Sequence, residues 1–455
     1  MSETPGIILA RYAVSQRTAP LPSDVLEKVR VHLLDSLAAI VSGSALSART
    51  AGRNYAELRG GNLEATVIGA SRRFPVVEAA LANGMCAHAD ESDDSHESSQ
   101  THPGCGVVPS ALAVAEYVQA SGEDLLKAVE LGYEVTIRFG EALSPCMSFA
   151  RSSLSCHAFA PLFGAGFAAG SLLGFNETQF LVLLNYLAQE ASGLMTWRLD
   201  QAHTLKSYVF AGMPSSNGVR CAMMVKAGWT GAGDVLGTDR NFFDSISPHQ
   251  QLMLNVSDLG TYHKILETDL KKYSVGFPIA APLAALEDIL DRTKVPADQI
   301  GEVRITYLSD WFKVIGDASK MPDLNLRHCV SATIVEGHLS FAMSHDESHM
   351  LDPQIVAAGE KVIFEDAPPD QDRFEAVVRV ILTDGSTHIA RQSREVLGRI
   401  QNPMTRSQSD AKALELLKTV LSEKSSYALI NTIHSLEEAH TLDSLLNILR
   451  ELKKH

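Results

Sequence analysis

The chain has 455 residues, is 45% hydrophobic and 20% charged, and carries a formal net charge of −15. That length exceeds one ordinary core, so the composition predicts a globular protein of two or three domains and excludes a disordered chain. The acidic balance argues against nucleic acid or an anionic membrane surface as partner, yet permits an anionic small molecule at a locally basic site.

The first stretch, "MSETPGIILARYAVSQ", has no basic region leading into a long apolar core, so no secretory leader is expected. The six cysteines are scattered without a C-x-x-C pair. They predict reduced thiols in a cytoplasmic protein, not a disulfide framework or a zinc site. "SDVLEKVRVHLLDSLAAIVSG" predicts a helix opened by Ser23 as N-cap and closed at Gly43, with Val25, Val29, Leu33, Leu37 and Ile40 as its apolar stripe. "GVVPSALAVAEYVQASG" and "DLLKAVELGYEVTIRFGEAL" predict further helices with glycine at their ends. "CHAFAPLFGAGFAAGSLLGF", Cys156–Phe175, is long enough to span a bilayer. It nevertheless holds His157, Pro161 and four glycines and lacks a basic flank, which predicts a closely packed buried helix.

Helical patterning runs to about residue 265, and then the grammar changes. "GEVRITYL" alternates as a half-buried strand does, and "RFEAVVRVILTDGSTHIARQS" places Phe374, Ala376, Val378, Val380 and Leu382 on one face before an Asp384–Gly385 hairpin turn. After "NPMTRSQSD" the helical pattern returns. The expected architecture is mainly α, with an α+β domain set inside an otherwise helical chain.

Between two of the apolar helices stands "HADESDDSHESSQTHPG", His88–Gly104, with three histidines and five carboxylates. As a calcium loop counted from Asp90 it fails, because Ser95 falls where glycine is needed and Thr101 where glutamate is needed. A magnesium–diphosphate site stays open as a minor alternative, since Asp90 and Asp94 would share a helix face. A transition-metal site has suitable ligand types, but His88, His96 and His102 follow no zinc spacing. Charge runs are mostly solvated loops. Here the small apolar "AALANGMCAHA" before the run and the apolar helix after "HPG" favour a pocket wall instead.

"LLDSLAAIVSG", "AALANGMCAHADESDDS", "HPGCGVVPSALAVAE", "GYEVTIRFGEAL", "GWTG" and "NPM" occur in this order along nearly the whole chain. In that set and order they resemble the MmgE/PrpD family, which includes 2-methylcitrate dehydratase, cis-aconitate decarboxylase and iminodisuccinate epimerase. The resemblance implies a large helical domain from both chain ends, residues 1–269 and 399–455. It also implies a smaller α+β lid, residues 270–398, a homodimer, and a site between the domains with no metal and no organic cofactor.

The family's H-x-x-D-F-D-D-T reads here His88-Ala-Asp-Glu91-Ser-Asp93-Asp94-Ser95, and its H-P-S reads His102-Pro103-Gly104. Its second histidine corresponds to His157, followed here by Phe159 and Pro161 in place of hydroxyl residues. Its lysine corresponds to Lys206 in "TLKSYVFAGMPSSNG". The lid lacks the family's histidine in "KKYSVGFPIAAPLAAL", and His328 stands where a tyrosine is usual.

The resemblance therefore implies a cofactor-independent lyase for a small di- or tricarboxylate, with 2-methylcitrate-type dehydration as the first expectation and decarboxylation or epimerisation as alternatives. A non-catalytic binding or scaffold protein is the competing class. His102, His157, Lys206 and His328 are the expected catalytic groups. Lys206 and His102 would meet substrate carboxylate and developing charge, His157 would move the proton, and His328 would supply a proton from the lid. Glu91, Asp93 and Asp94 would position the histidines, with Ser95 keeping the motif's hydroxyl. Arg198 and His203, in the polar segment "TWRLDQAHTLK", and Lys272 in the lid are supporting candidates.

Overall fold

The structure is a computed structural model that describes residues 3–46, 50–147, 152–237, 241–317 and 319–451. The chain divides into two compact units. One comprises residues 1–89, 93–268 and 406–455; the other comprises residues 90–92 and 269–405.

The first unit is built of helices. Ser23–Gly43 carries the expected stripe, and Val25, Val29, Leu33, Leu37 and Ile40 are all buried. Its cap differs from expectation. Pro22 occupies the N-cap, Ser23 is already helical, and no side chain caps the end. Proline serves there because its fixed φ presets the entry to the helix while its missing N–H costs nothing at that position.

Helix Gly122–Leu143 starts at a reciprocal capping box between Ser121 and Asp124, which satisfies two otherwise orphaned N–H groups. It packs against Cys156–Leu172, which is apolar on nearly every face and buried along its length. Glycine sets their close approach: a Cβ at Gly164 would lie 1.9 Å from Thr136 Oγ1 and 2.3 Å from the Gly132 carbonyl oxygen. The membrane-like composition of this helix thus reflects burial within the unit. No helix among the described residues is long and apolar enough to cross a membrane.

Two short antiparallel strands, β1 (Ala65–Thr66) and β2 (Arg73–Phe74), precede helix Val76–Ala87. Long helices continue only as far as Met213–Lys226; from there to 268 the described residues are mostly irregular, with the short helix Phe242–Ile246 and a 3-10 turn at Lys264–Glu267. The expected helical run to about 265 therefore ends early.

The second unit holds a four-stranded sheet in the order β4-β3-β5-β6, from β3 (Ile300–Tyr307), β4 (Val362–Asp366), β5 (Ala376–Leu382) and β6 (Thr387–Gln392). β3 and β4 are parallel, whereas β3–β5 and β5–β6 are antiparallel. The β5–β6 hairpin turns at Asp384–Gly385 as the dipeptide predicts. Gly385 adopts φ +88°, and Asp384 Oδ1 accepts from the Ser386 N–H and hydroxyl.

Candidate active site

The stretch that opens at His88 is not a solvated loop. Residues 88–96 are all buried and none of them is helical. Burial overturns the bland reading of an exposed charge run. The non-helical backbone, turned at Glu91 with φ +54°, also removes the shared helix face on which the diphosphate alternative depended.

Its carboxylates separate into different tasks. Asp94 works as a structural anchor: Oδ2 meets His32 Nδ1 at 2.7 Å and accepts from the Tyr133 hydroxyl at 2.6 Å, while Oδ1 accepts from the Gly104 N–H at 2.9 Å. One carboxylate thereby ties together helices Ser23–Gly43, Gly122–Leu143 and Pro103–Val118. Gly104 is required by that close approach, because a Cβ there would lie 2.3 Å from Ser36 Oγ and 2.5 Å from Tyr133 Oη. Burial pulls the His32 imidazole down to about 4 despite Asp94, so the ring stays neutral at physiological pH. The nearby Asp35 is pushed up to about 6 by burial, against the pull of Lys412, whose Nζ donates to Oδ1 at 2.6 Å.

Asp93 faces a different group of side chains. Its Oδ2 lies 2.9 Å from His88 Nδ1 and 3.2 Å from His102 Nδ1, and the carboxylate is fully buried. His88 is the C-cap of Val76–Ala87 and His102 is the N-cap of Pro103–Val118, so two helix ends deliver the two imidazoles to one oxygen. The hydrogen bond at Nδ1 orients the His88 ring, and the same carboxylate borders His102. His157, the second residue of Cys156–Leu172 and half-buried, lies 5.4 Å from His102 between ring centroids. His88 and His102 are 5.1 Å apart.

Phe210 holds the centre of this group. Its ring stacks on His88 at 4.4 Å and on His157 at 4.2 Å, each with an interplanar angle of 14°. Trp197 meets it edge-on at 4.7 Å. Lys206 Nζ sits 5.4 Å from the Phe210 centroid and 5.5 Å from that of Trp197, within cation–π range of both. Of the expected groups, the structure thus brings together His102, His157, Lys206 and Asp93.

The other candidates are placed as follows. His203, buried with φ +58°, directs Nδ1 to Ser207 Oγ at 3.0 Å, and its ring is 5.6 Å from that of His88. Arg198 is exposed, with its guanidinium 6.0 Å from the Trp197 ring. Ser95 is buried. Glu91 belongs to the second unit, where its carbonyl and Oε2 accept from Lys271 Nζ at 2.8 and 3.1 Å. Lys272 instead pairs with Glu287 at 2.6 Å. His328, also in the second unit, is buried, and its Nε2 lies 2.8 Å from the Met343 carbonyl oxygen. Burial lowers its pKa, which favours a neutral ring.

His88, Asp93 and His102 offer three ligand atoms within 4.8 Å, as a metal site would. His88 Nδ1, however, is already hydrogen-bonded to Asp93 Oδ2, and His102 Nδ1 lies 3.2 Å from the same oxygen as a close ion-pair contact without hydrogen-bond geometry, so one carboxylate gathers both imidazoles. A second buried group, Glu130, Glu134 and His263, also converges within 4.8 Å. There Arg138 donates to Glu134, and His263 pairs with Glu130 at 2.7 Å, so the cationic partners come from the protein itself.

Residues 8–255 match the MmgE/PrpD N-terminal domain and residues 273–438 match the MmgE/PrpD C-terminal domain. The chain belongs to the MmgE/PrpD family. It is 28% identical over 249 residues to the cis-aconitate decarboxylase-like protein oryM of Aspergillus oryzae (strain ATCC 42149 / RIB 40), covering 51% of this chain and 49% of that protein. To the cis-aconitate decarboxylase of Aspergillus terreus it is 24% identical over 298 residues, covering 62% of this chain and 60% of the relative. The chain thus spans about half to three-fifths of the length of these curated relatives.

The sequence names His88 only as a metal-ligand candidate set aside on spacing, and gives no sign of roles for Phe210, Trp197, His32 and Lys271. His88 carried a signal, since it heads the acidic motif directly after a buried helix. Phe210 carried none, because one aromatic in "SYVFAGM" reads as ordinary core.

Proposed function

We propose that this protein is a lyase acting on a small polycarboxylate, and that its first reaction to test is decarboxylation of an unsaturated tricarboxylate such as cis-aconitate. The observation that carries the reading is the Asp93 carboxylate, hydrogen-bonded to His88 Nδ1 and 3.2 Å from His102 Nδ1, in one group with His157 and the Lys206 ammonium. The similarity to proteins named cis-aconitate decarboxylase moves decarboxylation ahead of the dehydration expected first from the motifs.

In this reading Lys206 pairs with a substrate carboxylate that is retained, and its charge draws electron density toward that end. The C–C bond to the departing carboxylate breaks and its electron pair stays on carbon, delocalised toward the retained carboxylate as CO₂ leaves. An imidazolium then gives its proton to that carbon. His102 fits this role, because its Nδ1 lies 3.2 Å from the buried Asp93 carboxylate and its ring stands 5.4 Å from that of His157. The apolar cluster of Ala158, Met195, Trp197, Val209 and Phe210 limits the water that competes for these charges.

Dehydration is the second reading. His102 and His157, with ring centroids 5.4 Å apart, could act as base and acid across one substrate. Incubating the purified protein with cis-aconitate and following CO₂ release alongside product NMR tests the proposal. Stoichiometric CO₂ supports decarboxylation; water addition or elimination without CO₂ assigns the second reading.

A further inference from the structure

The same group of side chains contains one residue with no proton to give and no charge, and yet His88, His102, His157, Trp197 and Lys206 all gather around it. Phe210 is 3% exposed and touches two imidazoles face-on, a third at 5.6 Å, an indole edge-on and a lysine ammonium. It stands in the π-helical turn Tyr208–Gly212, between the helical turn Thr204–Ser207 and helix Met213–Lys226. A π turn adds a residue to a helical turn and so rotates the side chains on either side of it, at the cost of poorer hydrogen bonding.

The turn is pressed on helix Val76–Ala87, the helix that ends at His88. A Cβ at Gly84 would lie 2.9 Å from the Ala211 carbonyl oxygen, and one at Gly212 would lie 2.6 Å from Met85 Cγ. Two glycines thus permit the approach that carries Phe210 beneath the imidazoles. The backbone route and the ring contacts are separate observations, and both lead to the same side chain.

We propose that Phe210 is a positioning residue for this site, whose ring fixes the spacing and tilt of His88 and His157 and supports the Lys206 ammonium. The inference rests on the site reading above and goes beyond it by naming what holds the acid–base groups in place. A flat ring suits the task where an aliphatic side chain does not. It offers parallel contact to planar imidazoles, and its negative face attracts a cation at the distances seen here. Leucine would fill part of the volume and withdraw the flat contact that sets the tilt of both imidazoles, including that of His88 about its bond to Asp93. Effective proton transfer needs near-attack geometry, and misplacement of about 1 Å costs on the order of 100-fold.

The test has two arms. NMR of the unsubstituted protein with labelled histidines should place ring protons of His88 and His157 upfield, as stacking over an aromatic face requires; ordinary positions for both would overturn the proposal. In Phe210→Leu, the imidazole ¹⁵N–¹H signals of His88 and His157 should broaden or split while those of His32, held by Asp94 and Thr268, stay single. Phe210→Tyr should restore single signals. With a turned-over substrate, Phe210→Leu should lower kcat about 10- to 100-fold with KM within about threefold, and the tyrosine variant should recover most of it. Sharp, unchanged His88 and His157 signals in Phe210→Leu, or kcat within twofold of the unsubstituted protein, would refute the role. The NMR arm needs no substrate, so failure of the lyase reading appears as absent turnover with the ring-positioning result intact.

Discussion

Replacing Asp93 with asparagine keeps the shape of the side chain and removes the charge that faces two imidazoles. In the structure Oδ2 is 3.2 Å from His102 Nδ1 within a fully buried setting. Coulomb's law with an effective dielectric of about 20 gives about 5 kcal/mol for unit charges at that separation. That is an upper bound, since the imidazolium charge is spread over the ring and Asp93 is shared with His88. At about 1.4 kcal/mol per factor of ten, half to all of it corresponds to a loss of roughly 10²–10⁴ in kcat. The amide can also donate to Nδ1 where the carboxylate accepted, favouring the wrong tautomer. Substrate is held in this account by Lys206, so KM should change by no more than a few-fold. The assay is steady-state CO₂ release, with circular dichroism and a melting curve to establish that the variant folds. A folded Asp93→Asn protein with kcat within about threefold of the unsubstituted enzyme would refute the assignment of Asp93 as the orienting carboxylate.

Three further outcomes concern the framework around the site. His32 has its folded pKa lowered to about 4, so the unfolded chain takes up a proton below about 6.5 that the folded protein refuses; stability from this group is lost as pH falls from 6.5 toward 4. Asp35, raised to about 6, acts in the opposite sense, and its unfavourable contribution grows as pH rises from about 4 to 6. The melting temperature of the unsubstituted protein minus that of His32→Gln should therefore fall between pH 7.5 and 4.5, and a constant difference would contradict the burial of a neutral ring. Lys412→Met strands the Asp35 carboxylate and should destabilise by about 3–5 kcal/mol above pH 6, with most of the loss recovered in Asp35→Asn/Lys412→Met, as read by denaturant unfolding. Gly104→Ser should cost about 1–3 kcal/mol through its clash with Ser36 and Tyr133, and Ser36→Gly in the same chain should recover part of it.

Much of the fold was legible because local pattern and tertiary packing agree. The stripe of Ser23–Gly43 and the alternation in β3 name the buried face directly, whereas in β5 Ala376, Val378 and Val380 are buried as expected but so is Val377, and Phe374, outside the strand, and Leu382 are half-buried. The Asp384–Gly385 turn names its hairpin in the same way. Where context decides, the reading stopped short. Pro22 took the cap that Ser23 could have served, and the Ala- and Gly-rich grammar did not mark where helices end after Lys226. At the site, the resemblance to the MmgE/PrpD motifs singled out His102, His157 and Lys206, but division of labour among neighbouring carboxylates did not follow from spacing. Asp93 and Asp94 are adjacent, and a non-helical backbone sends one to His88 and His102 and the other to His32 and Tyr133. Phe210 lay beyond sequence reasoning because its role depends on a π turn and two glycine contacts, neither of which has a periodicity to read.

The central claim is that these histidines, Asp93 and Lys206 constitute a working lyase site for small polycarboxylates. The most direct measurement is a turnover screen of the purified protein against cis-aconitate, citrate, 2-methylcitrate and iminodisuccinate, read by NMR with CO₂ detection and run in parallel with Asp93→Asn. The account predicts turnover of at least one of these, with CO₂ released from cis-aconitate, and loss of that turnover in the variant. A folded protein that leaves all four unchanged, or turnover that survives Asp93→Asn undiminished, would contradict it.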